Sequence, residues 1–178
     1  VVKYFTKVTA VGTHVITVDN ASAFGRGDKV LLIQMKGATI STSKDESFGN
    51  ITSWGNAGNY EFGEIKSISG NTIALDHPIC RSYDPKFAVQ LVLVPTYEDV
   101  IINGKVHAAA WDGEKGGIVV IWANDQIIFK EDIDVTGQGF RAGGYEGGSE
   151  DGGTTYSCSL GSDFGGQKGE GIASLGIS

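Results

Sequence analysis

Two stretches of this sequence say the same thing twice. "VTAVGTHVITVDN" (Val8–Asn20) and "IKSISGNTIALDH" (Ile65–His77) each read as strand, tight turn, strand, then an Asp. Each is followed by a loop and a second apolar run, "KVLLIQMK" and "AVQLVLVP". Such a duplication predicts a small barrel or sandwich built from two related β units. These units occupy residues 1–95. Residues 36–59, rich in Ser, Thr, Gly and Asn, form a long excursion between them.

The rest of the pattern is also β. Three prolines, 27 glycines and clusters of β-branched residues point to an all-β protein. Predicted strands are Val2–Val8, His14–Val18, Lys29–Met35, Tyr60–Ser69, Thr72–Leu75, Val89–Pro95, Val100–Ile102, Lys105–Ala108, Ile118–Ala123, Gln126–Lys130 and Ile133–Val135. Turns are predicted at Gly12-Thr13, Gly27-Asp28, Gly70-Asn71, Asn103-Gly104 and Asn124-Asp125. From Pro95-Thr96 onward, short strands alternate with Gly or Asn corners. Residues 96–178 read either as about two coils of a parallel β-solenoid or as a layer of antiparallel hairpins, capped by a glycine-rich segment.

That segment, Asp134 to Gly169, opens Gly137-x-Gly139-x-x-x-Gly143, close to the loops that cradle phosphates. A dinucleotide fingerprint needs a helix after the glycines, and a P-loop needs Gly-Lys-Ser/Thr opening one. Neither follows, so nucleotide binding is excluded. Calcium is the metal that fits, with Asp134, Glu146, Glu150, Asp151 and Asp163 as oxygen ligands among glycines. EF-hand spacing is absent. The structural reading is a glycine-rich loop packed over a β surface. No other cofactor is indicated.

A net charge of −7 argues against nucleic acid as a partner. No run approaches the roughly 20 apolar residues of a membrane span, so no membrane insertion is expected. The chain opens directly on strand-like "VVKYFTKV", so in a secreted protein Val1 would follow a removed leader. "GEGIASLGIS" reads as the middle of a longer chain. Cys80 and Cys158 either pair, closing a loop worth about 4–5 kcal/mol, or stay as separate thiols.

Chemistry is sparse. There is no G-x-S-x-G elbow and no Cys/His motif, and His14, His77 and His107 lack zinc spacing. Adjacent acids such as Glu131/Asp132 point to opposite faces of a strand. "GRGD" at Gly25–Asp28 reads as a turn feeding a strand. The aromatics offer more. Trp54, Tyr60, Trp111, Trp122, Tyr145 and Tyr156 supply rings for a sugar platform or for covering the core. The polar contexts of Trp54 ("SWGNAGNY") and Trp111 ("AWDGEKGG") predict exposure. The candidate ligand-binding residues are therefore Trp54, Tyr60, Trp111 and Tyr145.

Several blocks occur in a telling order: "GDKVLLIQMKGA", "NAGNYEFGEIKSISGNTIALDHPICRSYD", "AVQLVLVPTYEDVIING", "AAAWDGEKGGIVVI", "EDIDVTGQGFRAGG" and "KGEGIA". Together they resemble the N-terminal region of large Bacteroidota cell-surface proteins, which are adhesin-like or gliding-motility-associated and exported by type IX secretion. The resemblance covers nearly the whole chain, and Ala142 stands where those proteins usually carry glycine. It implies an extracellular or cell-surface location, a C-terminal sorting domain beyond this chain, and no catalytic residue. The functional expectation is a non-catalytic module that presents residues 36–59 and 137–171 to a surface glycan or protein partner. Two alternatives stand beside it: a carbohydrate-binding module or leading part of a polysaccharide-degrading enzyme, and a self-assembling subunit of a surface filament.

Overall fold

The computed structural model describes residues 4–43, 45–142 and 169–173. It is all-β, with one short 3-10 turn among the described residues. Six strands close a barrel: β1 (Phe5–Val11), β2 (Val15–Val18), β3 (Lys29–Gln34), β6 (Tyr60–Ser69), β7 (Thr72–Leu75) and β8 (Val89–Leu93). The excursion expected at 36–59 carries a small hairpin, β4 (Thr39–Ile40) with β5 (Ile51–Ser53).

The duplication seen in the sequence is a duplication in space. Barrel order is β1-β2-β7-β6-β3-β8. Exchanging β1, β2, β3 with β6, β7, β8 reproduces every neighbour pair. Registers agree: Val8 faces Val18 as Ile65 faces Leu75, and Val11 faces Ile16 as Ile68 faces Ile73. Each hairpin even slips at the same place, between Val8 and Ala10 and between Ile65 and Ser67. A bulge bends its strand and increases local twist, so a matched pair helps a short barrel close. Ile16 faces Ile73 and Leu31 faces Val92, which places the pseudo-two-fold axis through these two pairs.

Alternation fills the interior. Val8, Ile16, Val30, Leu32, Ile65, Ile73, Val89 and Leu91 form one inner cluster, which the loop residues Ala21 and Phe24 join. Most outward residues of β3 and β8 are apolar too. Leu31, Val92 and Val94 pack with Phe5, Ile33 and Phe62 against Ile118, Val119 and Val120. These strands read as continuous apolar runs because both faces are covered.

The second half is a parallel stack. β9 (Thr96–Ile102) pairs in parallel with β10 (Trp122–Phe129), with Ile102 beside Phe129. Val106 bridges Ile133 in the same sense, and Trp111 N–H donates to Gln138 O. Parallel pairing favours the solenoid-like reading over antiparallel hairpins. Lys105–Ala108 and Ile133–Val135 are not strands but shorten to the single bridge between Val106 and Ile133, and two further assignments need correction. Ile118–Ala123 is not a strand over most of its length, because Ile118–Val120 pack side-on against the barrel. Asn124-Asp125 is not a turn. β10 runs through it with a slip between Ala123 and Gln126, an irregularity that turn-forming residues accommodate.

Buried polar groups tie the two halves together. Gln90, fully buried, accepts from Gly116 N–H at 2.9 Å and donates to Gly116 O at 3.1 Å. Gly116 sits at φ +95, and a Cβ there would meet Ala110 O at 2.5 Å, so the corner requires glycine. Beside it, Glu170 gathers Arg141 Nη2 (2.8 Å), Arg141 Nε (2.8 Å), Lys36 Nζ (3.2 Å) and Trp111 Nε1 (3.0 Å). The Gly169–Ala173 segment then returns to the barrel, where Gly37 and Ala38 N–H donate to Ile172 O.

Candidate functional site: an aromatic strip across both halves

Tyr60 and Phe62 occupy alternate positions of β6, so both side chains leave the same outer face of the barrel. Phe62 is half-buried because it packs with Leu31, its partner across β3. Trp122 opens β10, held by its N–H to Pro95 O. The three rings form a run. Tyr60 and Phe62 centroids lie 6.3 Å apart, and Phe62 and Trp122 5.6 Å apart, both edge-to-face. Edge-to-face packing places the positive ring edge against the negative face and adds about 0.5–1.5 kcal/mol per pair.

A cation closes each end. Lys29 Nζ lies 3.8 Å from the Trp122 ring centroid, and the Arg81 guanidinium 6.0 Å from that of Tyr60. Arg81 is placed by Glu61, whose carboxylate accepts from Arg81 N–H at 3.2 Å and Cys80 N–H at 2.9 Å. A polar rim continues from Trp122. Its Nε1 donates to Asn124 Oδ1 at 3.1 Å, and Asn124 Nδ2 donates to Glu98 Oε1 at 2.9 Å. Tyr60 is 52% exposed and Trp122 37%. Large rings this open on a folded surface, with polar groups at their margin, have the chemistry to receive an amphipathic ligand.

The sequence-selected residues separate. Tyr60 belongs to the strip. Trp54, 63% exposed just beyond β5, is the most open large hydrophobic side chain among the described residues. Trp111 corrects an expectation: it is 5% exposed, not open. Its ring meets Phe140 edge-to-face at 5.2 Å, Lys36 approaches at 5.3 Å, and its indole N–H is spent on Glu170. The neighbouring glycines that suggested a loop tip instead form tight positive-φ corners, where a Cβ would meet Ala110 O at 2.5 Å on Gly116 and Gln138 O at 3.2 Å on Gly117. Trp122 and Phe62 were not among the selected ligand residues. The available signal was parity, since Phe62 shares the Tyr60 face.

Cys80 is free and exposed, its Sγ 3.4 Å from Pro78 O. Its candidate partner Cys158 lies outside the described residues, as do Tyr145, Tyr156 and the calcium candidates Glu146, Glu150, Asp151 and Asp163. Asp134 is described, and its carboxylate accepts from Thr136 N–H at 3.0 Å, which holds its pKa below the ordinary value. Among the described residues no group of three His, Cys, Asp or Glu side chains is arranged to hold a metal. No described helix is long and apolar enough to cross a membrane. "GRGD" is a turn: Asp28 Oδ2 accepts from Gly25 N–H at 2.7 Å, and Gly27 sits at φ +85.

The strongest electrostatic perturbations lie away from the strip. Hydrogen bonds from Arg141 hold Glu170 well below the usual carboxylate range, against partial burial. Asp112, despite the desolvation that acts to raise it, is held at about 2 by Lys115 and by the N–H groups of Glu114 and Lys115. Both stabilise corners of the parallel stack.

No family model matches the chain, and no curated protein matches it. Among solved structures it is similar to the gp54 tailspike of Acinetobacter baumannii bacteriophage AP22, solved in complex with A. baumannii capsular saccharide. Identity is 18% and the TM-score 0.37, covering 70% of this chain and 20% of that one. It is also similar to the tailspike protein gp49 from Pseudomonas phage LKA1, with 13% identity and a TM-score of 0.33, covering 73% and 21%. The chain thus spans about a fifth of each tailspike's length.

Proposed function

We propose that this chain is a non-catalytic surface-interaction module that binds carbohydrate along the strip formed by Tyr60, Phe62 and Trp122. The run of rings, exposed at Tyr60 and Trp122 and bordered by hydrogen-bonding side chains, carries the reading. The apolar C–H face of a sugar ring is attracted to the negative face of an aromatic, and its hydroxyls find partners at a polar rim. A platform spanning barrel and stack suits a polymeric glycan, which offers successive rings. The resemblance to Bacteroidota surface proteins supports the same role, adhesion outside the cell. The test is a glycan panel measured with wild type, Trp122→Ala and Tyr60→Ala. Binding weakened at least about tenfold in both variants, with unchanged circular dichroism, supports the reading. Binding that survives both substitutions overturns it.

Self-assembly has an observation of its own. Ile102 and Val106 are 6% and 7% exposed, yet their stacking partners Phe129 and Ile133 are 53% and 41% exposed. An open apolar edge of this kind invites another strand. Sedimentation of the purified chain decides it: a strict monomer at high concentration removes this second reading.

A further inference from the structure

Resting on the carbohydrate reading, we infer that the strip selects acidic glycans, polymers carrying carboxylates along the chain, over neutral ones. The protein as a whole is acidic, with a net charge of −7, so its general field repels polyanions. The strip is a local exception. Lys29 and Arg81 stand at its two ends, each over a ring. Neither is neutralised: among the described residues no carboxylate lies within 4.0 Å of either cationic group. Lys29 has Glu64 directly opposite on the neighbouring strand, yet its ammonium lies on the Trp122 face.

A cation on a ring face keeps its full charge while giving up part of its hydration shell. An incoming carboxylate therefore gains a charge-assisted hydrogen bond without displacing an internal partner. With the two cations at opposite ends of three rings, one bound acidic sugar reaches only one of them. A chain with repeated carboxylates reaches both while its ring faces lie against the aromatics. The acids nearest the strip limit the choice of ligand. Glu61, Glu64 and Glu98 keep their negative charge beside the strip, so the carboxylates of a bound chain must fall at its two cationic ends.

The experiment compares oligogalacturonate with its carboxyl-reduced, neutral counterpart by isothermal titration, at low and high salt, using wild type and Lys29→Met/Arg81→Met. We expect at least about tenfold tighter binding of the acidic form at low salt, a preference that shrinks at high salt. The double variant is expected to lose the preference for the acidic form. Equal binding of both forms, or tighter binding of the neutral one, overturns the acidic selectivity and leaves the carbohydrate reading standing. Preference retained in the double variant also overturns it. If neither oligosaccharide binds and no member of the glycan panel binds either, the carbohydrate reading itself fails. If the neutral panel binds but oligogalacturonate does not, only this inference fails.

Discussion

The barrel and the parallel stack are both made of repeats, but they end differently. In the barrel, the second unit closes the first: Ile16 meets Ile73, Leu32 meets Leu91, and all four are at most 1% exposed. In the stack, the first coil is covered by the second, and among the described residues the second presents Phe129, Ile133 and Val135 at 41–53% exposure. A two-fold repeat consumes its own edges. A translational repeat always leaves a last copy whose inward positions face outward. The strip lies where the two architectures meet, so its rings are carried by the rigid barrel on one side and by the first strand of the open end on the other.

This contrast can be broken by substitution. The largest effect is expected in the closed unit. Leu91→Ala removes a fully buried side chain from the inner cluster and should cost about 2–5 kcal/mol in denaturant unfolding. A cost near zero would mean that the barrel is not the stabilising core.

The junction comes next. Glu170→Gln removes the charge that holds Arg141, Lys36 and the Trp111 indole, and should cost roughly 1–3 kcal/mol. Its pH signature has a definite sign. The folded-state pKa of Glu170 is depressed, so the folded chain binds fewer protons at this group than the unfolded chain. The stabilisation is full above the ordinary carboxylate pKa of about 4.3 and is lost as pH falls toward the depressed value. Wild type should therefore lose stability below about pH 4, and the Gln variant should show a shallower acid limb. Parallel acid limbs in the two proteins would remove Glu170 from this role.

The smallest effect belongs to the open end. Phe129→Ser should change stability by no more than about 0.5 kcal/mol, because the ring is already half in water. A loss as large as that of Leu91→Ala would show that this face is covered in solution.

Much of the barrel is legible in the sequence. The repeated strand-turn-strand-Asp blocks give the two units, and β6 and β7 match their predicted bounds. Period-two alternation and the Gly70-Asn71 turn suffice there, because each hairpin is a local structure. The stack is harder to read. Its pairs join residues a full coil apart, as Ile102 and Phe129 do, and no turn residue announces them. The same limit applies to the site. Tyr60 can be chosen from sequence, but its nearest cation, Arg81, comes through a loop anchored by Glu61. Trp122 joins Phe62 only because the stack packs on the barrel. Trp111 misleads because glycine-rich polar context signals exposure, whereas here the glycines form tight positive-φ corners beside a buried indole.

The most direct test of the strip is the set of indole N–H signals in a two-dimensional ¹H–¹⁵N spectrum. The chain has three tryptophans, so three assignable signals report on Trp54, Trp111 and Trp122. When a glycan from the binding panel is titrated in, the Trp122 signal should move with saturation while that of buried Trp111 stays in place. A bound glycan that leaves Trp122 unmoved, or that shifts Trp54 alone, would contradict the assignment of binding to the Tyr60–Phe62–Trp122 strip.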